Sequence, residues 1–247
     1  MLIDTHCHIH ESDYPLDIAE TLLKANEAGV TKLICVGTSE ASSRQAVEFA
    51  SEHIDTYASI GVHPHDTKDG YAIDSLAENK KVIAVGEIGL DYFYTNSPRE
   101  VQLAGLEAQI QVALKHDLPI IFHVREAFDD FWPIFDKYPG IRGELHSFTD
   151  TKEQLEKALG RGLYIGVNGI STFTKDEAQK EMFDAIPLDR LLFETDAPFL
   201  TPAPFRGKIN EPALVRTIAE YHAERRGISL EEIAKATTTN TIKLFAL

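Results

Sequence analysis

The feature that most constrains this chain is a set of short apolar runs that each end in a histidine or a carboxylate. LIDTHCH, VIAVGEIGLD, PIIFHVRE, IRGELHSF and RLLFETDAPF bring His6 and His8, Glu87, His123, His146 and Asp196 to or near their C-terminal ends. Each run is rich in branched or aromatic residues and short enough to be a buried parallel strand. Counting all such runs predicts eight strands, over residues 2–6, 32–37, 56–63, 82–87, 119–123, 141–146, 163–168 and 190–196.

Helical signals separate them. Pro15 lies near one start and Gly29 near its stop. Ser97-Pro98-Arg99-Glu100 has the form of a capping box with Pro in the first turn, opening a helix that runs to about Asp117, and residues 229–232 offer a second box before a terminal helix ending near Phe245. Eight βα units in 247 residues, with no linker dividing them, predict an α/β chain folded as one (β/α)8 TIM barrel domain over residues 1–247. An open doubly wound sheet gathers ligands only at its switch point, whereas the candidate ligands here come from strands one, four, five, six and eight. Only a closed barrel brings all those ends to one mouth.

The 43% hydrophobic content is ordinary for a chain with a substantial core, and no apolar run approaches the ~18 residues of a membrane span, so a soluble protein is expected. The first residues already form strand one, so no secretory signal is expected. Two cysteines, Cys7 and Cys35, make no disulfide framework and fit a reducing cytoplasm. A formal charge of -15 argues against an electrostatic grip on long duplex nucleic acid, although it permits a small basic pocket.

His6 and His8 are two apart on a strand, so both imidazoles project from one face, a spacing that suits two ligands on one ion. Glu87 at the end of an apolar strand needs a partner, and a cation is the natural one. With His123, His146 and Asp196 the count exceeds the three or four protein ligands of one catalytic ion, which points to two ions bridged by a carboxylate and a water. His63 and His65, in GVHPH, are expected to line the same mouth as substrate or supporting groups, with a loop role open for His65. His53, His116 and His222 are expected near helix ends, in surface or capping roles. Asp4, Glu144 and Glu194 each precede a proposed ligand by two and should lie on its face, one layer deeper. Arg206 and Lys208 after strand eight, and Arg125 two beyond His123, suit phosphate, a solvated surface charge being the alternative for each. Tyr92, Phe93 and Tyr94 could stack on a base or form core or rim. No GxSxG elbow or nucleotide-binding glycine fingerprint occurs, and Cys7 reads as a small buried residue.

These residues match a known pattern. The chain resembles the TatD-type metal-dependent deoxyribonucleases of the amidohydrolase-like barrel superfamily, through DTHCHIH, GVHPH, GEIGLDY, FHVREAF, ELHSF, ETDAPFLTP, RGKINEP and TNTIKLF, nearly its whole length. The resemblance implies two divalent ions, His6, His8 and Asp196 serving one, His123 and His146 the other, and Glu87 between them. It also implies phosphodiester hydrolysis on DNA, typically from the 3′ end. Family members are described with Mg²⁺ or Zn²⁺; the mixed nitrogen and oxygen donors suit Zn²⁺ or Mn²⁺ better than Mg²⁺. The chain departs from the family at Ser147-Phe148-Thr149-Asp150, where Cys-Phe-Ser-Gly is usual, and at Ile209 and Lys243, where Arg is common.

The reading that follows is a hydrolase in which two divalent ions hold a bridging hydroxide, with Glu87 and Asp196 as catalytic carboxylates. Asp196 would orient or deprotonate the water, while Arg206, with Arg125, neutralises substrate phosphate. DNA ends or short oligonucleotides are the expected substrate, with neither a membrane nor an obligatory protein partner. A metal-dependent hydrolase of a carbonyl ester or amide is the alternative. A non-catalytic scaffold on the same barrel is a third reading, and its mark, a missing ligand, does not occur.

Overall fold

A computed structural model describes residues 1–94 and 96–247. Its strands are β1 Leu2–Cys7, β2 Val30–Val36, β3 Thr56–Ile60, β4 Val82–Asp91, β5 Ile120–Arg125, β6 Gly143–Leu145, β7 Tyr164–Val167 and β8 Leu191–Phe193. The helices are α1 Ile18–Glu27, α2 Glu40–Glu52, α3 Arg99–Lys115, α4 Phe128–Lys137, α5 Lys152–Gly160, α6 Ile170–Phe173, α7 Glu177–Ala185, α8 Val215–Arg226 and α9 Leu230–Phe245. Strand order in the sheet follows the chain from β1 to β8, and Cys7 bridges back to Ala197 just after β8, the topology of a (β/α)8 barrel. Between β3 and β4 the chain makes two 3-10 turns, Thr67–Asp69 and Asp74–Leu76, where the pattern calls for a helix. No helix among the described residues is long and apolar enough to cross a membrane.

Two compact units make up the chain, one of Met1–Ile34 with Ser147–Leu247, the other Cys35–His146. In the first, β7 and β8 pair in parallel, and α9 packs on both β1 and β8. The amide of Asn240 on α9 donates to the carbonyls of Leu188 and Leu191, both at 2.9 Å, and so satisfies backbone at the start of β8. Ser229 caps α9 by accepting from Glu232 N, as the sequence predicts.

In the second unit β3, β4, β5 and β6 are paired in parallel. Helix α2 packs on β3, α3 on β4 and α4 on β5, where the Phe131 and Phe135 rings of α4 meet Phe122 edge-on at 5.0 and 5.9 Å. Helix α3 carries two buried glutamines seven residues apart, hence on one face. Gln109 exchanges both hydrogen bonds with the backbone of Val62, and Gln102 does the same with Asp91, clamping the end of β4. The expected capping box at α3 does not form. Ser97 Oγ instead donates to His65 O at 2.6 Å, and the helix starts at Arg99 without a side-chain cap.

Candidate metal centre

The first unit places His6, His8 and Asp196 together. His6 and His8 lie at and just past the end of β1, and their Nε2 atoms stand 3.1 Å apart. Asp196 follows β8 by three residues; its N–H donates to His6 O and His8 N–H donates to Ala197 O, both at 2.8 Å, which ties the two chain segments together. Asp196 has φ +59°, a left-handed conformation that Asp tolerates better than most residues and that these bonds enforce. Its Oδ1 is 3.3 Å from His8 Nε2 and 3.7 Å from His6 Nε2. Donor atoms held ~2.0–2.1 Å from a tetrahedral ion stand about 3.3 Å from one another, so this triangle has the size of a ligand face.

Carboxyls support that triangle from below. Asp4, fully buried, accepts from Thr195 N, Thr195 Oγ1 and His6 N at 2.8, 2.5 and 3.3 Å, bracing both strands that present ligands. Burial pushes its carboxyl up to about 8 against those hydrogen bonds. Glu194 accepts from Ser147 N at 2.7 Å and occupies space left open at Gly166, where a Cβ would come within 2.4 Å of its Oε2. Asp4, Glu144 and Glu194 are all fully buried, as the strand alternation predicts.

The second unit builds its cluster from strand register. Gly89 of β4 is level with His123 of β5, and Glu87 and Asp91 flank Gly89 on the same face. Gly89 has φ +155°, and a Cβ there would lie 1.8 Å from His123 O, so only glycine permits this approach. The His123 ring is held between the two carboxylates, Nδ1 2.8 Å from Glu87 Oε1 and Nε2 2.9 Å from Asp91 Oδ2. Burial alone would lower the His123 pKa; the bonds to Asp91 and Glu87 outweigh it and raise it. Glu87 Oε1 also lies 3.6 Å from His63 Nε2 and 3.8 Å from His146 Nε2. His63 Nδ1 accepts from His65 N–H at 3.2 Å, which leaves the proton on Nε2, facing Glu87. Burial, followed by the neighbouring His123, lowers His63 to about 3, so this ring is neutral.

Asp91 is the residue that sequence reasoning missed. Its Oδ2 serves His123 and lies 3.1 Å from His65 Nε2, while its Oδ1 accepts from the N–H groups of Phe93 and Tyr94. Burial raises its pKa, yet the His123 and Tyr94 bonds hold it well below the usual carboxylate range. The signal was present: Asp91 is four residues beyond Glu87, an even offset that returns to the same face, but β4 was expected to stop at Glu87. Within this unit two groups, His63, His65 and Asp91, and His63, Glu87 and His123, have ligand atoms all within 4.8 Å of one another.

The predicted cations are exposed, Arg125 at the end of β5 and Arg206 and Lys208 on the loop after β8, and each lies against an aromatic ring. The guanidinium carbon of Arg125 lies 3.8 Å from the Phe93 ring centre and 5.3 Å from that of Tyr94. Arg206 lies 3.8 Å from the Phe173 ring centre and donates to Thr201 O at 2.8 Å, and Lys208 Nζ is 5.5 Å from the Phe205 ring centre. His116 caps the end of α3 and meets Asp74 at 2.8 Å, and His53 caps α2. His222 corrects the expectation of a surface role: it is fully buried within α8, its Nε2 2.9 Å from Ser171 Oγ and its ring 5.6 Å from that of Phe193.

A family model described as TatD related DNase matches residues 3–246. A Bacillus subtilis protein named uncharacterized metal-dependent hydrolase YabD is 39% identical over 254 residues, covering all of both chains. A Citrobacter rodentium protein named 3'-5' ssDNA/RNA exonuclease TatD is 35% identical and is aligned over 100% of this chain and 98% of its own. The crystal structure of YJJV, a TatD homolog from Escherichia coli K12, superposes with a TM-score of 0.92 at 30% identity, covering 100% of this chain and 98% of the other.

Proposed function

Because this chain belongs to the TatD-related DNase family, we propose that it is a metal-dependent phosphodiester hydrolase that works inward from the 3′ ends of single-stranded nucleic acid or short oligonucleotides. The observation that carries the metal dependence is the His6–His8–Asp196 triangle, whose 3.1, 3.3 and 3.7 Å edges have the dimensions of a coordination face. These three residues would hold one divalent ion. Glu87, His123 and His146 would hold a second, and the nitrogen and oxygen donor set favours Zn²⁺ or Mn²⁺ over Mg²⁺. Such ions, when bound, lower the pKa of an attacking water and offset charge that develops on the phosphoryl oxygens.

The chain's own groups supply the rest. Asp196 orients the attacking water and takes its proton. His63, neutral and protonated on Nε2, offers a hydrogen bond to a phosphoryl oxygen, with His65 beside it. Asp91 accepts from His123 Nε2 and thereby keeps Nδ1 as the ligating atom. Arg125 at the end of β5 and Arg206 and Lys208 on the loop after β8 are exposed, suited to the phosphates of an incoming strand. Cys7 and Cys35, both buried and joined in no disulfide, fit a reducing cytoplasm.

The test is to load the purified protein separately with Zn²⁺, Mn²⁺ and Mg²⁺ and offer end-labelled single-stranded oligonucleotides, duplexes and chromogenic carboxylic esters. Stepwise shortening of single strands from the 3′ end is expected. Ester hydrolysis without nucleotide release would replace this reading with a carbonyl hydrolase on the same barrel.

A further inference from the structure

Phe93 and Tyr94 are large aromatic residues that the fold leaves 49% and 47% exposed. They are nonetheless fixed in place. Both backbone N–H groups donate to Asp91 Oδ1 at 3.0 Å, and the two rings meet edge-on with centres 4.7 Å apart. The Arg125 guanidinium covers one side of Phe93. The Tyr94 ring in turn meets His65 edge-on at 5.3 Å, and His65 leads to His63 at 4.3 Å and His123 at 6.4 Å. The exposed aromatic corner is therefore continuous with the histidine cluster. One carboxylate sets both, Oδ1 of Asp91 holding the corner and Oδ2 holding His123.

We propose that Phe93, Tyr94 and Arg125 form a stacking subsite for an unpaired nucleobase next to the scissile phosphate. The inference rests on the phosphodiester reading above and supplies what that reading lacks, a source of affinity. At a net charge of -15 the chain has few cations to spend on phosphates, so charge alone gives a weak hold on a strand. Aromatic stacking has no such limit, and it accepts any base because every base has a π face. An Arg plane beside two rings adds a cation–π surface of the kind bases stack on. A base already paired and stacked within a duplex cannot reach such a corner, so the subsite also selects frayed or single-stranded ends.

Metal-loaded wild type, Phe93→Ala, Tyr94→Ala and Tyr94→Trp are compared on end-labelled single strands that carry either normal or abasic terminal nucleotides. Each alanine variant should raise KM on the normal strand by about 5- to 150-fold, the range that stacking of one base covers. Removing the terminal bases should cost wild type a similar factor, and the two losses should not multiply when combined. Tyr94→Trp should bind the normal strand as tightly as wild type or tighter. Losses that multiply, or alanine variants with unchanged KM, would overturn the subsite. A second measurement needs no chemistry: a phosphorothioate trinucleotide containing 2-aminopurine should lose fluorescence on binding wild type and keep it with the alanine variants. Quenching without cleavage of any oligonucleotide would remove the phosphodiester reading and leave the subsite standing; no quenching by wild type would remove the subsite.

Discussion

His222 offers a test of how burial sets stability against pH in this fold. Burial, followed by the charge of Arg226, lowers its pKa from 6.5 to about 3, with Asp184 opposing. The ring is thus neutral in the fold and titrates normally once the chain unfolds. The unfolded state binds more protons below pH 6.5, so the contribution is fully present above that value and is lost as pH falls towards 3. At pH 5 the loss is 1.5 pH units below the unfolded value, or about 2 kcal/mol at ~1.36 kcal/mol per unit. His222→Gln keeps a donor for Ser171 Oγ and cannot take up the proton. At pH 8 the variant should be less stable than wild type by about 1–2 kcal/mol through lost packing and an imperfect hydrogen bond. By pH 5 that gap should shrink by about 2 kcal/mol and close or reverse. Urea unfolding followed by circular dichroism at pH 8, 6.5 and 5 reads the difference directly, because every other titrating group is common to both proteins. A gap that stays constant across the three pH values would refute the reasoning.

Other outcomes follow from the ligand clusters. Glu87→Ala should release the ion that Glu87, His123 and His146 would hold and remove nearly all hydrolysis while the chain still folds, since the barrel core lies below the ligands; metal analysis showing two ions retained per chain would sink Glu87 as a ligand. Asp91→Asn keeps the size of the side chain but no longer enforces the His123 tautomer, and metal affinity or activity should drop by about 10- to 100-fold, with affinity read by competition against a chromogenic chelator. Asp196→Asn should lower kcat by ~10²-fold or more with KM near its original value if the carboxylate mainly handles the water, whereas a raised KM at constant kcat would make it a substrate-binding group. With only two or three phosphate contacts among Arg125, Arg206 and Lys208, the log–log salt slope for single strands should be about -1.5 to -2, and a much steeper slope would mean cations elsewhere carry the binding.

What the sequence made legible is whatever depends on alternation along a strand. His6 and His8 are two apart and their ring nitrogens meet; Asp4 and Glu194 are two before a ligand and lie buried beneath it. The same rule would have found Asp91 from Glu87, but strand ends are its weak point. A register shift between Val85 and Ile88 breaks the regular ladder, and Leu90 and Asp91 continue a strand whose apolar run had already ended in a carboxylate. Ser97 shows a different limit. Its hydroxyl fits a capping box in sequence, yet the carbonyl of His65, 32 residues away, claims it.

His222, expected in a surface or capping role, and the two glutamines of α3, which no motif singles out, share one feature. Each is polar yet buried, and each bonds a distant group there: His222 Nε2 meets Ser171, Gln109 the backbone of Val62, and Gln102 the backbone of Asp91 together with Ser97 O. Ser171, Val62 and Asp91 are 51, 47 and 11 residues away from these three side chains, so no local pattern can reveal them. The consequence for the candidate site is direct. The ligands were legible because they lie at or near the ends of apolar runs, while the groups that aim them come from helix α3 and from the far end of β4, where the polarity of a residue predicts exposure and its partner decides otherwise.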